Sequence, residues 1–124
     1  MGIVDIDNVF WIRLEELLSK SKIVVDRPRG SVHPRYPQIV YELDYGYLDG
    51  TKSSDNEGID VWIGTDAEQK LDAIVCTVDL VKNDSEIKLL IGCTPAEKSY
   101  INSFYNEWPQ MGGLLIYRDN TPIK

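Results

Sequence analysis

At 124 residues the chain is long enough for one domain with a sizeable core and too short for two, so a single domain over residues 1–124 is expected. Its 43% hydrophobic and 27% charged residues are ordinary for a soluble globular protein, and no apolar run reaches the length that spans a bilayer. The net charge of −7 argues against nucleic acid and anionic membranes as partners.

The first residues, Met1–Asp5, lack the basic flank and apolar core of a signal peptide, so a cytoplasmic location is expected. Cys76 and Cys93 stand in apolar surroundings without a CxxC pairing, which favours buried free thiols over a disulfide. His33 is the single histidine, so a zinc site built from His and Cys is disfavoured. Any bound metal is therefore expected to have oxygen ligands.

Helical spacing of apolar residues predicts a first helix, with Asp7 or Asn8 as its N-cap. The β-branched run Ile23–Val25 predicts a buried strand that ends at Asp26. A loop rich in proline and arginine follows. Strand patterns then recur in Ile39–Leu43, Asp60–Ile63, Ala73–Val81, Glu86–Ile91 and Leu114–Tyr117.

The segment Lys82–Ser85 predicts a hairpin between two of these strands. Within the second of them, period-two spacing places Glu86 and Lys88 on the same face. Thr94–Glu97 is a capping box with proline at the first helical position, so it predicts a second helix, which Pro109 ends. The order of elements lacks βαβ regularity, which favours an α+β, mainly β fold: an antiparallel sheet or small barrel with two flanking helices.

An acidic stretch marks the candidate site. Asp55, Glu57 and Asp60 fall within six residues, where a polar loop turns into an apolar strand. Carboxylates held this close repel one another unless a cation or a proton lies among them, so a rigid cluster would favour a hard metal such as Mg²⁺. A solvated acidic loop, in which the side chains splay apart, is the structural alternative.

Read with the residues before it, this stretch is similar to the family I inorganic pyrophosphatases. Asp26, Arg35, Tyr41 and Tyr45-Gly46 precede Asp55-Asn56-Glu57-Gly58-Ile59-Asp60 in the order and approximate spacing of that family. The family pattern has an acidic residue before x-Pro, a basic residue nine positions on, Tyr-x-x-x-Tyr-Gly, and Asp-Gly-Asp-Pro-x-Asp. The likeness covers about residues 23–105. It implies a small twisted five-stranded, OB-like barrel and Mg²⁺-dependent hydrolysis of pyrophosphate to two phosphates.

The resemblance also implies roles for individual residues. The implied metal ligands, for two or more Mg²⁺ ions or for Mn²⁺, are Asp55, Glu57, Asp60, Asp84 and Glu86. The implied catalytic residues are Glu57, which accepts the proton of the attacking water, Tyr45, and Asp26, which tunes the site through a metal-bound water. The implied phosphate-binding residues are Arg35, Lys88, Arg29, Tyr45 and Tyr105. Tyr105 falls near the family's Tyr-Lys pair, although Asn106 follows it here.

Other interpretations stay open at this point. Glu86 and Lys88 also fit an exposed cross-strand pair, and tyrosines are core residues by default. The same residues are also consistent with two other functions. One is a non-catalytic relative that binds metal–phosphate ligands, and the other is a hydrolase of another phosphoanhydride. A calcium-binding EF-hand is disfavoured, because a loop beginning at Asp55 would need glycine where Asp60 stands. Pyrophosphate is the expected small-molecule partner, and assembly into a homo-oligomer is left open.

Overall fold

The computed structural model describes residues 6–54 and 56–118, with the side chains of residues 6 and 7 outside that description. Within those ranges the chain forms a mixed α+β domain that is mainly β, with six strands in one sheet and two helices. The elements are α1 (Ile6–Ser19), β1 (Lys22–Arg27), β2 (Asp44–Asp49), β3 (Ile59–Ile63), β4 (Leu71–Asp79), β5 (Asp84–Ile91), α2 (Pro95–Asn106) and β6 (Met111–Tyr117). Neither helix is long and apolar enough to cross a membrane, a finding that covers the described ranges alone.

The sheet is open and has the strand order β1-β2-β3-β5-β4-β6. It consists of two three-stranded antiparallel units, β1-β2-β3 and β5-β4-β6. A parallel ladder joins β3 to β5 through three residue pairs, Val61 with Leu89, Trp62 with Leu90, and Ile63 with Ile91. The sheet thus differs from the predicted five-stranded antiparallel barrel in strand number, in this parallel pair, and in its two open edges, β1 and β6.

One helix packs against each face of the sheet. On one face α1 buries Trp11 in a cluster with Leu48, Val61 and Leu89. On the other face, which we call the α2 face, α2 contributes its buried stripe to the second cluster. That cluster consists of Tyr41, Leu43, Tyr45, Trp62, Ala73, Val75, Leu90, Cys93, Ile101 and Tyr105. Successive residues of a strand point to opposite faces, so every second residue of β3 and β5 belongs to the α2 face.

The structure confirms most predicted elements and corrects two. The strand predicted at Ile39–Leu43 is wrong, because this segment makes only an isolated bridge and packs Tyr41 and Leu43 into the core from a loop. The strand next to β1 begins instead at Asp44. The predicted caps Asp7 and Asn8 lie inside α1, which already begins at Ile6. The capping box of α2 is confirmed: Thr94 accepts from the backbone N–H of Glu97, and the Glu97 carboxylate accepts from that of Thr94.

Candidate functional site

Polar side chains from three neighbouring strands meet on the α2 face. They are Tyr45 of β2, Asp60 of β3, and Glu86 and Lys88 of β5, and we call them the Lys88 cluster. Asp60 and Lys88 lie two residues before Trp62 and Leu90, so each strand carries one polar and one core residue along the same face. The predicted period-two placement of Glu86 with Lys88 is confirmed by their contact.

The ammonium group of Lys88 is the centre of this cluster. Its Nζ lies 2.6 Å from Oδ2 of Asp60 and 3.1 Å from Oε2 of Glu86. It also donates to the hydroxyl of Tyr45 over 3.2 Å. The side chains of Lys88 and Glu86 are 10% and 9% exposed, whereas that of Asp60 is 26% exposed. The cluster is therefore mostly buried and reaches solvent on the Asp60 side.

The surroundings fix the protonation states of the cluster. Burial lowers the pKa of Lys88, but the charges that Tyr105, Asp60 and Glu86 carry when ionised outweigh burial, and the pKa is raised. Burial, followed by the neighbouring Tyr105 and Asp60, raises the pKa of Tyr45 well above its ordinary value. At neutral pH the cluster therefore holds a cationic lysine and a neutral tyrosine hydroxyl.

A wall of aromatic side chains supports the cluster from the core side. Trp62 is fully buried and donates from its indole Nε1 to the hydroxyl of Tyr105 over 2.9 Å. The ring centroid of Tyr105 lies 5.8 Å from Nζ of Lys88. Tyr105, predicted to bind phosphate, is itself only 3% exposed, and burial raises its pKa. It thus lies beneath the lysine, and its hydroxyl oxygen already accepts a hydrogen bond.

Arg27 extends the site beyond Tyr45. The guanidinium Cζ lies 5.2 Å from the ring centroid of Tyr41 and 5.6 Å from that of Tyr45, both within cation–π range. Nη1 of Arg27 also donates to the hydroxyl of Tyr41. In the β1–β2 ladder the register shifts between Val25 and Arg27, so Arg27 stands opposite Tyr45. Because of this bulge, Arg27 rather than Asp26 stands opposite Tyr45, the tyrosine that the resemblance predicts to be catalytic.

The acidic stretch is only partly described. Asp55 lies outside the described residues. Glu57 is exposed, and its backbone carbonyl accepts from the N–H of Ser53 over 2.8 Å. Ser54 donates from Oγ to Oε1 of Glu86 over 2.9 Å, which ties the loop to the Lys88 cluster. Asp84 begins β5, and burial, together with the charges of Glu86 and Asp79, raises its pKa.

Three of the predicted site residues lie outside the cluster. Asp26 in β1 and Arg29 and Arg35 in the proline-rich loop are exposed, and none of them forms an ion pair within residues 6–54 and 56–118. The backbone N–H of Arg29 donates to Oδ1 of Asp44 over 2.8 Å. Arg29 also lines a groove of about 560 Å³ that runs between this loop and the N-terminus of α2. The backbone N–H of Arg35 donates to Nδ1 of His33 over 3.0 Å.

The sequence groups Arg27 with Arg29 and Arg35 as basic residues suited to an anionic ligand, but it does not predict that Arg27 or Ser54 lies beside the cluster. Regular alternation in β1 does not predict the bulge that brings Arg27 opposite Tyr45. Asn106, which follows Tyr105, has a structural role: it exchanges two hydrogen bonds of 3.0 Å with the backbone of Gly113 and so joins α2 to β6.

The carboxylates of the Lys88 cluster are candidate ligands for a metal ion. No group of three or more His, Cys, Asp or Glu side chains in residues 6–54 and 56–118 lies close enough to hold one. Two carboxylates, Asp60 and Glu86, do converge on a single cation. Their oxygens are the ligand type that Mg²⁺ prefers. Asp60 and Glu86 therefore provide two oxygen ligands of the type that suits a hard divalent ion, and no third carboxylate of the described residues joins them.

In comparisons with known proteins, no family model and no curated protein matches the chain.

Proposed function

We propose that the protein hydrolyses pyrophosphate to two phosphates with the help of Mg²⁺. The observation that supports this most is the Lys88 cluster: a buried ammonium held by two carboxylates and a neutral tyrosine hydroxyl, open to solvent beside Asp60. Phosphoanhydride hydrolysis requires a cationic donor for phosphate oxygens and carboxylates that hold cations. The motif series of the sequence is similar to family I pyrophosphatases and adds independent support. The proposal implies that the open sheet is a variant of the family's twisted five-stranded barrel.

In this proposal Asp60 and Glu86 would hold the metal. The resemblance adds Asp55, Glu57 and Asp84 as further ligands, although no three carboxylates of the described residues lie together in the structure. When bound, Mg²⁺ neutralises phosphate charge and makes water a better nucleophile. Asp60 and Glu86 contribute two negative charges and Lys88 contributes one positive charge, so the cluster alone is net negative. A polyanion therefore needs added cations in order to bind there, which is why a divalent ion belongs to the proposal.

The chain's own residues position the reaction. In the structure the three N–H donors of Lys88 contact Asp60, Glu86 and Tyr45, so Lys88 exchanges one of these contacts for an oxygen of the phosphate that leaves. The neutral hydroxyl of Tyr45 donates to a phosphate or carboxylate oxygen. Glu57, in the loop two residues before β3, accepts a proton from water. One P–O bond forms to the water oxygen while the P–O bond to the bridging oxygen breaks. The departing phosphate takes up a proton, so atoms and charge balance.

A second candidate is binding of metal–phosphate ligands without turnover, or hydrolysis of another phosphoanhydride. One observation favours it: Asn106, at the position where the family has a phosphate-binding lysine, is occupied in joining α2 to β6. The described part of the site also brings only two carboxylates to the lysine. The two candidates share the ligand class and differ in whether pyrophosphate is cleaved.

Phosphate release from Mg-pyrophosphate by the purified chain tests the proposal. We expect turnover by the wild type, and Asp60→Asn and Lys88→Met each to lower kcat/KM by about a hundredfold or more, because each removes a charge from the reacting site. Asp72→Asn and Lys98→Met are matched controls: Lys98 is equally buried and lies 3.1 Å from Asp72, away from the cluster. Melting temperatures of all four variants correct for the cost of breaking a buried pair.

Three results would count against hydrolysis of pyrophosphate. Equal losses in the Lys88 and Lys98 variants would mean that the lysine acts through stability alone. Binding without phosphate release would support the non-catalytic candidate. Release from nucleotides but not from pyrophosphate would support the other hydrolase.

A further inference from the structure

Arg27 is a half-buried cation without a carboxylate partner. In the described ranges every ion pair involves other basic residues, and Arg27 is in none of them. The hydroxyl of Tyr41 takes one of the five N–H donors of a guanidinium, and the remaining donors have no hydrogen-bond partner in the described protein. Half-buried arginines are expected to pair with an anion, because desolvating a charge costs free energy.

Tyr45 connects this guanidinium to the Lys88 cluster. Lys88 donates to the hydroxyl of Tyr45, whereas Arg27 lies over the ring of the same residue. The two cations thus stand at different positions along one side chain, on neighbouring parts of the α2 face. Lys88 pairs with two carboxylates, whereas Arg27 pairs with none in the part of the chain that the structure describes. An anionic group beside Tyr45 would therefore be drawn toward Arg27.

The ring contacts fix the orientation of the guanidinium. Tyr41 and Tyr45 are 3% and 8% exposed, with ring centroids 5.4 Å apart, so they form a rigid support for Arg27. The charge also acts on its surroundings: after burial, Arg27 is the largest contributor that lowers the pKa of His33. The guanidinium is thus preorganised, which reduces the entropy lost when it binds a ligand.

We propose that Arg27 binds one phosphate group of a diphosphate ligand while Lys88 binds the other. This rests on the proposed function, because it assumes that the Lys88 cluster receives a metal–phosphate ligand. A guanidinium presents parallel N–H donors that match two oxygens of one phosphate, so the contact is bidentate. Arg27 thus determines selectivity for two linked phosphate groups over a single one, a role that the sequence resemblance gives to other residues.

Calorimetric titration with methylenediphosphonate in Mg²⁺ tests this without any turnover, since the P–C–P bridge resists hydrolysis. We expect Arg27→Gln to raise Kd about tenfold to a hundredfold. Arg27→Lys should fall in between, because it keeps the charge and loses the planar fork. The loss for orthophosphate should be smaller, because with Mg²⁺ on Asp60 and Glu86 the Lys88 cluster can bind a single phosphate without Arg27. Arg118→Gln is the matched control: that guanidinium lies 5.8 Å from the ring centroid of Trp11 and pairs with Glu15, on the α1 face.

The outcomes separate this inference from the proposed function. If the wild type binds the diphosphonate and Arg27→Gln, with an unchanged melting temperature, binds it as tightly, the role of Arg27 is overturned and hydrolysis can still hold. If Arg27→Gln weakens binding but the wild type releases no phosphate, the role of Arg27 is supported and hydrolysis fails. Equal weakening for orthophosphate and diphosphonate overturns the selectivity. Should Arg27→Gln not fold, Arg27→Lys decides by the same criteria.

Discussion

His33 is a hydrogen-bond acceptor inside the arginine-rich loop. Its Nδ1 accepts from the backbone N–H groups of Arg35, over 3.0 Å, and Tyr36, over 3.2 Å. Accepting at Nδ1 requires the neutral imidazole. Burial, followed by the positive charges of Arg27, Lys82 and Arg35, lowers the pKa of His33 below its ordinary value of 6.5. The folded loop therefore favours the uncharged ring.

The sign of the pH dependence follows from this shift. Because the pKa is lowered on folding, the stabilising contribution of His33 is fully present above its unfolded value of 6.5 and is lost as the pH falls through the folded value. We expect the wild type to lose stability relative to His33→Asn, which keeps a side-chain acceptor without titrating, between about pH 7 and about pH 5. Urea unfolding of both proteins across that range measures the difference. A difference that stays constant with pH would contradict the prediction.

Alternation along a strand predicts which residues share a face, so the pairing of Glu86 with Lys88 and of Asp60 with Trp62 on one face could be predicted. Tyr45 lies outside every predicted strand, and only the resemblance indicates it. The position of Arg27 opposite Tyr45 could not be predicted, because one extra residue in β1 shifts the register.

Strands β1 and β2 approach each other unusually closely at Gly46. A Cβ atom at this position would lie 1.9 Å from the carbonyl oxygen of Val24, a distance that no neighbouring backbone atom can accommodate without moving. The pairing therefore requires glycine between Tyr45 and Tyr47. The same pairing supports the site, since it places Arg27 beside Tyr45.

Gly46→Ala is therefore expected to lower the free energy of unfolding by about 1–3 kcal/mol or more, because the backbone of β1 must shift. Gly112→Ala is the control: its Cβ would meet nothing closer than Oδ1 of Asn106 at 3.9 Å, and we expect a change within about 0.5 kcal/mol. Urea denaturation of both variants measures the two changes in the free energy of unfolding. Equal effects would mean that the close approach of β1 is not energetically important.

The elements predicted correctly from the sequence are specified by local interactions, whereas the conformation of Ile39–Leu43 depends on tertiary packing. The capping box specifies α2 within four residues, and the turn at Asn83, with a φ of 56°, closes the β4–β5 hairpin. Ile39–Leu43 has strand propensity, but Tyr41 pairs with the loop instead: its carbonyl accepts from the N–H of Gly30, and its N–H donates to Ser31. Tertiary packing of Tyr41 and Leu43 overrides the local pattern.

The reactivity of the Cys93 thiol measures opening of the core, because this side chain is buried there. It is 4% exposed, and burial, followed by the charge of Glu97, raises its pKa to about 12. Cys76 is half-buried, and both thiols are free, as predicted. A thiol with a raised pKa and no solvent access is a poor nucleophile until the fold opens.

In a Cys76→Ser variant, we expect a disulfide reagent at pH 8 to label Cys93 only as fast as the molecule unfolds. The rate should rise with urea in parallel with the loss of circular dichroism, because the core opens as a unit. The Cys93→Ser variant, which keeps Cys76, should react much faster in the absence of urea. Rapid labelling of Cys93 without denaturant would show that the core opens locally at α2. A homo-oligomer, the other whole-molecule expectation, stays a prediction.

The three-pair parallel ladder between β3 and β5 joins the two halves of the sheet that together form the Lys88 cluster. Asp60 belongs to one antiparallel unit, and Glu86 and Lys88 belong to the other, so the ion pair between Asp60 and Lys88 crosses the β3–β5 ladder that joins the two units. Neither half of the sheet contains the site by itself. A chain that has completed only its first three strands contains Asp60 without its cationic partner, so the Lys88 cluster is complete only when both halves of the sheet are paired.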